Sequence, residues 1–224
     1  MNTLFLFQNM ILIQIPDDAE PECLSKLRAI PESEYRKGLK DNCKDQVERT
    51  LLKYQNNLCA YCQKSIENVK TIEHYISISQ DTSLQLVWNN FLAVCSGNWY
   101  LNGPTDFKII YCHKKKGHAT VHFNPKIKEH IDSLYYDNEC RLCSNDHTFN
   151  TDINKVLNLN FDQIRTARSD AFIKLDKIYK RLSLERKLTQ AQSLNKAIKT
   201  IKSLNPEYSG FLLYFYIKKL NKLG

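Results

Sequence analysis

Apolar residues recur every three or four positions in two long stretches of the chain, which is the spacing of one helix face. In residues 23–58 this pattern predicts helices that are separated at Pro31. In residues 161–203 the apolar positions fit two successive helix faces. The sequence FLLYFYIKKL at 211–220 then predicts a final buried helix.

The remaining stretches are shorter and more varied. The sequence MILIQI at residues 10–15 predicts a strand, and its Met10 is an alternative start of the chain. Residues 124–152 are polar and irregular, with room for one or two short strands. The predicted divisions are an N-terminal strand with helices (1–58), a unit rich in Cys and His (59–123) and a basic, helical C-terminal region (124–224).

The composition and the N-terminus indicate where the protein works. Hydrophobic residues make up 42% of the 224 residues and charged residues 25%, which is ordinary for a globular protein. The apolar run Leu4–Phe7 has no Lys or Arg before it and no small-residue cleavage site after it, and it is too short to span a membrane. We therefore expect a cytoplasmic protein without a membrane partner. Its eight cysteines would be reduced, with Cys23 and Cys43 as ordinary helix residues.

The net charge of +8 is concentrated in one stretch of the chain. Residues 161–203 contain eleven Lys or Arg against four Asp or Glu, a difference of +7. Such a surface suits the phosphates of a nucleic acid, and Arg165 and Arg168 lie at its start. A solvated helix face or a docking face for a partner protein would have the same composition, and the sequence leaves these alternatives open.

Two pairs of cysteines compete to complete a zinc site. Cys59-Ala-Tyr-Cys62 has the spacing at which two thiolates reach one tetrahedral ion. Its other half is either Cys95 with Cys112 or the tighter motif at 140–143. Because Cys95 and Cys112 flank the histidine motifs described next, we predict a structural Zn²⁺ on 59, 62, 95 and 112, with 140 and 143 as the alternative.

Three further motifs follow the first cysteine pair. In chain order they are Ile72-Glu73-His74, Trp88-Asn89-Asn90-Phe91-Leu92 and Cys112-His113-Lys114-Lys115-Lys116-Gly117. In this order, and between these cysteines, they resemble the HNH (ββα-metal) nucleases. The likeness departs at Ser77, where that family often has Pro. The resemblance implies an α+β fold: a mostly helical chain enclosing a small ββα-metal catalytic unit with a zinc knuckle.

A longer stretch, roughly residues 10–215, resembles one branch of that family. It is similar to the HNH subunits (PtuB) of Septu-type anti-phage defence systems, which are also found beside some retrons. The shared features are LCAYC, IEH, WNNFL with SGN after the cysteine, CHKKKG, and VLNLN followed by an Arg-bearing helix. The resemblance implies a DNA or RNA substrate, a PtuA-like ATPase partner, and association with a retron RNA/DNA assembly in some systems.

The resemblance also implies a role for each residue of the motifs. His74 would be the general base, and Asn90 would orient the loop carrying the base through side-chain to backbone hydrogen bonds. Glu73 and His113 would hold a catalytic Mg²⁺ or Mn²⁺. The residues expected to contact substrate phosphates are Lys114, Lys115, Lys116, Arg165 and Arg168.

Several alternatives stay open at this point. His118 and His122 are rival metal ligands near His113. The insertion at 96–111 is either a substrate-sensing loop or a tolerated extension. A zinc-stabilised module that binds nucleic acid without cutting it would keep the cysteines and the basic helices but would not need His74. A scaffold subunit would need neither nucleic-acid affinity nor its salt dependence.

Overall fold

The fold is described from a computed structural model for residues 10–67, 71–101 and 108–223. The apolar run Leu4–Phe7 and residues 102–107 of the predicted insertion lie outside the described residues. Helices alternate with three small antiparallel sheets of two strands each among the described residues, so the predicted α+β class is confirmed. No described helix is both long enough and apolar enough to cross a membrane.

The N-terminal part is helical, as the apolar spacing predicts. Its helices are α1 (Glu22–Ala29), α2 (Tyr35–Gly38) and α3 (Asp41–Tyr54). Pro31 lies in the turn between α1 and α2. The interpretation of Cys23 and Cys43 as ordinary helix residues is wrong, because a disulfide bond joins them and links α1 to α3.

The predicted strand at 10–15 is also wrong. The segment is irregular, although Met10 and Ile13 are buried in the core. Ile13 donates its backbone N–H to the carbonyl of Pro125, over 2.9 Å. That neighbouring segment is itself irregular, so an apolar run with strand-like composition finds no ladder to join.

The central part is built on one short sheet and the helix that follows it. Strands β1 (Thr71–His74) and β2 (Phe91–Val94) pair antiparallel, with His74 opposite Phe91. A second hairpin, β3 (Asn98–Tyr100) with β4 (Lys108–Ile110), occupies the insertion. Helix α4 (Cys112–Lys116) begins at the cysteine that ends the insertion.

The C-terminal part begins with small elements and ends in three longer helices. The small ones are α5 (Lys128–Asp132), β5 (Leu134–Tyr136), β6 (Leu142–Ser144), α6 (His147–Thr151) and a π-helical turn, Asp152–Val156. The long ones are α7 (Asp162–Glu185), α8 (Gln190–Leu204) and α9 (Ser209–Asn221). The predicted stretch 161–203 therefore divides in two, because Thr189 caps α8 by exchanging hydrogen bonds with Gln192.

A single hydrophobic core runs through all three predicted divisions of the chain. The start of α9 packs directly on the turn after Cys62. Gln63 accepts the N–H of Tyr208 on its carbonyl oxygen and that of Gly210 on its side-chain oxygen, each over 2.9 Å. A Cβ atom at Gly210 would lie 2.8 Å from the Cα of Met10, so only glycine permits this approach.

Candidate metal centre and the adjoining His74 site

Four buried cysteines from three parts of the chain meet in the central unit. They are Cys59, Cys62, Cys95 and Cys112, and their sulfur atoms all lie within 4.8 Å of one another. Burial raises the pKa of the Cys62 and Cys112 thiols, so four thiolates here need a cation to offset their charge. The cluster could hold a metal such as zinc, and it is the predicted set of four.

The first two cysteines lie on a turn that is tied to β2. Ala60 donates its N–H to the carbonyl of Ala93 over 3.1 Å. Gln55, buried just after α3, donates to the carbonyls of Leu58 and Ala93 and accepts the N–H of Ala93. Sequence reasoning missed Gln55, because nothing in its spacing distinguishes it from a polar residue at the end of a helix.

The other two cysteines are positioned by a glycine turn and by the segment before α7. Gly97 has a φ of +69°, and a Cβ there would lie 2.5 Å from Cβ of Lys114 and 2.7 Å from the Tyr111 carbonyl. Cys112 donates its N–H to the Leu157 carbonyl over 2.8 Å. The segments 96–98 (SGN) and 156–160 (VLNLN) therefore both hold α4 against the cysteine cluster.

The alternative cysteine pair does not join the cluster. Cys140 and Cys143 lie half-buried on the hairpin of β5 and β6, and both are free thiols. Among the described residues, no other three His, Cys, Asp or Glu side chains come close enough together to hold an ion. The ligand set that includes 140 and 143 is therefore not the one that the chain brings together.

His74 ends β1 and lies between two aromatic rings. Its ring centroid is 4.4 Å from that of Tyr35 and 5.0 Å from that of Phe91, both edge-on. Its Nε2 lies 2.9 Å from the carbonyl oxygen of Gln85, which can only accept, so Nε2 carries the proton and Nδ1 keeps its lone pair. Burial lowers the pKa of His74, and the charge of Lys116 lowers it further. A neutral imidazole of this tautomer suits a proton acceptor.

Asn90 ties the loop that follows His74. Its Oδ1 accepts the N–H of Ile76 over 2.8 Å, and its Nδ2 donates to the carbonyls of Ile76 and Leu84 over 2.9 and 3.2 Å. These are the side-chain to backbone contacts that the sequence predicts for it. Asn90 itself is buried, so its part is to fix the loop rather than to meet a substrate.

Lys116 does not belong to a substrate-binding surface, and its assignment as a phosphate contact is wrong. Its side chain is fully buried, and its Nζ lies 2.7 Å from Oε1 of Glu73 and 2.9 Å from the carbonyl of His74. The reason is the direction of α4, which turns Lys116 toward β1 and leaves Lys114 and Lys115 exposed. Burial raises the pKa of Glu73, while the Lys116 charge opposes that rise.

The three histidines near α4 differ in their surroundings. His113 is half-buried, its Nδ1 lacks a hydrogen-bond partner among the described residues, and burial lowers its pKa. His122 places its Nδ1 3.0 Å from Oδ1 of the buried Asp152, which gives it a structural partner. His118 is exposed beyond the end of α4. His113 is therefore the one of the three whose ring nitrogen is buried without a hydrogen-bond partner.

Arg168 is buried, so its assignment as a phosphate contact is also wrong. Its guanidinium donates to the carbonyl of Cys140 over 3.0 Å and to Oδ1 of Asn160 over 3.3 Å. The same group lies over the ring of Tyr136, 5.4 Å from its centroid. Arg168 falls on the face of α7 that packs on the β5–β6 hairpin, so it braces that contact.

The rest of the basic stretch has two kinds of residues. Arg165 forms ion pairs with Asp162 and Glu139, so its charge is already matched at the surface. The others are more exposed to solvent, although Lys180 and Arg181 also form ion pairs within α7. They are Lys174, Lys177, Lys180, Arg181, Arg186, Lys187, Lys196, Lys199 and Lys202. Contact of these residues with phosphates stays a prediction.

The site thus joins a buried cysteine cluster to a neutral, hydrogen-bonded histidine on a two-stranded sheet followed by a helix. A scan of the sequence against protein-family models found no match. A search of the curated proteins found none either.

Proposed function

We propose that the protein is a metal-dependent HNH endonuclease that hydrolyses phosphodiester bonds in nucleic acid. The observation that carries the proposal is the state of His74. Its Nε2–H donates to the Gln85 carbonyl, which leaves Nδ1 free to accept a proton. Asn90 fixes the loop between His74 and Gln85.

The chemistry follows from these groups. Nδ1 of His74 would take a proton from water, and the resulting hydroxide would attack the phosphorus while the ester oxygen leaves. His113, whose Nδ1 lacks a hydrogen-bond partner among the described residues, would be a ligand for Mg²⁺ or Mn²⁺. Glu73 would join it at the ion through the carboxylate that Lys116 now pairs. When bound, that ion supplies charge neutralisation on the phosphate and on the leaving oxygen. Lys114 and Lys115 are exposed beside this site and would meet the neighbouring phosphates.

Zinc is the proposed ion of the cysteine cluster. Four thiolates are soft donors, and a closed set of four protein ligands is typical of structural zinc rather than catalytic zinc. The ion would link the turn before β1, the end of β2 and the start of α4. Its role would be to hold His74 and His113 in one frame.

The biological setting is proposed from the sequence resemblance alone. We infer that the chain is the effector subunit of a cytoplasmic anti-phage defence system in which a PtuA-like ATPase restrains the nuclease. In this setting the exposed basic residues of α7 and α8 would serve the DNA or RNA substrate or the partner.

One observation favours a second function. Glu73 is already ion-paired with Lys116, an arrangement that also suits a zinc-stabilised module that binds nucleic acid without cutting it. In that case His74 would be a structural residue.

The test compares wild type with His74→Ala, alone and with an ATPase encoded beside it. Each protein is incubated with Mg²⁺ or Mn²⁺ and plasmid DNA, single-stranded DNA or total tRNA. We expect wild type to cut one of them, and His74→Ala to lower the rate by about 100-fold or more. The control is His147→Ala, an exposed histidine at the start of α6.

Zinc content and circular dichroism must match wild type before His74→Ala is interpreted, because His74 fills a space between two rings. Cutting that His74→Ala leaves intact would overturn the role of His74. Binding of nucleic acid by both proteins without cutting under any of these conditions would favour the binding module.

A further inference from the structure

A loop closed by the disulfide bond lies directly against His74. We call residues 23–43 the strap; it begins in α1, includes α2 and ends in α3, with Cys23 and Cys43 joined and their Cα atoms 5.7 Å apart. Tyr35 lies near the middle of the strap, and its ring meets His74 edge-on. The disulfide therefore closes a loop whose centre touches the proposed general base.

The strap and the imidazole of His74 are both hydrogen-bonded to Gln85. Tyr35 donates its backbone N–H to Oε1 of Gln85 over 3.0 Å. The carbonyl oxygen of Gln85 accepts the Nε2–H of His74 over 2.9 Å. A shift of the strap would therefore move both the ring against His74 and the hydrogen-bond acceptor that sets its tautomer.

The strap is packed at its ends and more open in between. Leu24 and Leu39 are buried and Leu27 packs partly buried against the core, while Ile30 is 57% exposed. Residues 28–33 and 82–86 line an open surface pocket of about 300 Å³, and Arg28 donates a hydrogen bond to the Leu86 carbonyl beside it. Residues 28–34 have no buried side chain, so the covalent link is an important restraint on this part of the strap.

The far end of the link is rigid. Cys43 lies on α3, which is anchored in the core by the fully buried Val47 and Leu51. Both cysteines of the link are partly exposed, in contrast to the four buried cysteines of the metal cluster. A reductant in solution can therefore reach the disulfide.

We propose that the Cys23–Cys43 disulfide is a redox-sensitive clamp on the His74 site, an inference that rests on the proposed nuclease function. A dithiol reductant would open it. One thiolate of the reductant attacks a sulfur of the Cys23–Cys43 bond, forms a mixed disulfide with that cysteine and releases the other cysteine as a thiolate. The second thiol of the reductant then attacks the mixed disulfide and releases the remaining cysteine. The protein gains two electrons and two protons, and the dithiol becomes a disulfide. Tyr35 and Gln85 act here as positioning residues, since they act through His74.

The experiment uses the full, zinc-loaded chain, oxidised or treated with dithiothreitol. Two readouts are taken: amide hydrogen exchange in residues 33–39 and 84–87, and metal-dependent cleavage. We expect reduction to speed exchange in both segments and to lower kcat about tenfold, because small displacements of a reacting group have large kinetic costs. The variant Cys23→Ser with Cys43→Ser should match the reduced protein in either medium.

Two further variants make the result specific. Cys140→Ser with Cys143→Ser removes the other partly exposed cysteine pair and should respond to the reductant as wild type does. Tyr35→Ala removes the ring from His74 without touching a cysteine, so it should lower kcat by itself and make the added effect of reduction small. Matching zinc content in every variant shows that the cysteine cluster is intact.

The two readouts separate the possible failures. Unchanged exchange on reduction, or unchanged cleavage with altered exchange, would overturn the clamp. A response that persists in Cys23→Ser with Cys43→Ser would overturn it too, since other thiols would then be responsible. Altered exchange in a protein that cuts nothing in either state would support the movement of the strap and overturn the nuclease function.

Discussion

Different kinds of contact stabilise the central unit, residues 59–123, and the group of helices α7 to α9. In the central unit the strands β1 and β2 are four residues long, and cysteines and hydrogen-bonding side chains such as Asn90 link the pieces. In the helices, apolar faces do this work: α9 buries most of its side chains from Phe211 to Ile217. In the central unit a few specific side chains stabilise the fold, so the residues that stabilise it lie next to those that form the candidate site.

A seam, residues 124–161, connects the two regions and is held on each side by polar contacts. Leu157 accepts the N–H of Cys112, and Arg168 of α7 donates to the carbonyl of Cys140 in the β5–β6 hairpin. Gln63 joins the central unit directly to the start of α9. These contacts are polar but buried, so the loss of one partner leaves a buried group unpaired.

The largest effect is expected from removal of the proposed zinc. Structural zinc sites supply about 10 kcal/mol or more of apparent binding free energy, comparable to the stability of a whole domain. We expect a chelator, or Cys112→Ser, to remove hydrogen-exchange protection from β1 and β2 while α7 and α8 keep theirs. The variant Cys140→Ser with Cys143→Ser should retain its metal. Simultaneous loss of protection in both regions would mean that they unfold as one unit.

A smaller effect is expected at the seam, from Arg168→Ala. The change removes hydrogen bonds to the partly buried Cys140 and Asn160 and the contact with the buried Tyr136, all made by an arginine that is itself buried. The free energy of unfolding should fall by about 3 kcal/mol, as urea denaturation would measure. Arg181→Ala, on an arginine that is 82% exposed in an ion pair within α7, is the control and should change stability by less than about 0.5 kcal/mol. Equal effects would contradict the structural role of Arg168.

The smallest effect concerns the pH dependence of stability where residue 126 of the C-terminal region packs on the central unit. Burial lowers the pKa of Lys126 to about 8 from 10.5, and its Nζ donates to the carbonyls of Asn89 and Phe91. Between these two pH values the unfolded chain keeps the proton that the folded chain has lost, so this residue makes stability rise with pH. The rise should be absent from Lys126→Met.

Urea denaturation of both proteins at pH 8 and pH 10 measures the difference, and groups common to both proteins cancel. Parallel pH profiles would show that Lys126 does not titrate in this window.

The helices could be predicted well because their signal is local. In 23–58 and 161–203 the apolar residues line the helix face that meets the core, so they recur with the period of the helix. The strand predicted at 10–15 failed for the opposite reason. A strand needs a partner, and nothing in the sequence of MILIQI indicates that its neighbour, near Pro125, is irregular.

The cysteines illustrate the same limit in the site. Their order along the chain, with two of them flanking the histidine motifs, was enough to choose the cluster of Cys59, Cys62, Cys95 and Cys112. It was not enough to predict the disulfide between Cys23 and Cys43, because that pair has no motif spacing and meets only through the packing of α1 on α3.

The sequence by itself determined the helices, the four cysteines of the cluster and the order of the motifs around His74, because each is written in residue type and spacing. Only the tertiary structure decided which charged residues face solvent. Lys116 and Arg168 look like their exposed neighbours in the sequence, yet α4 and α7 turn them inward to Glu73 and Cys140. Spacing does not specify the direction of a side chain relative to distant elements, and that direction separates a phosphate-binding lysine from one that braces the site.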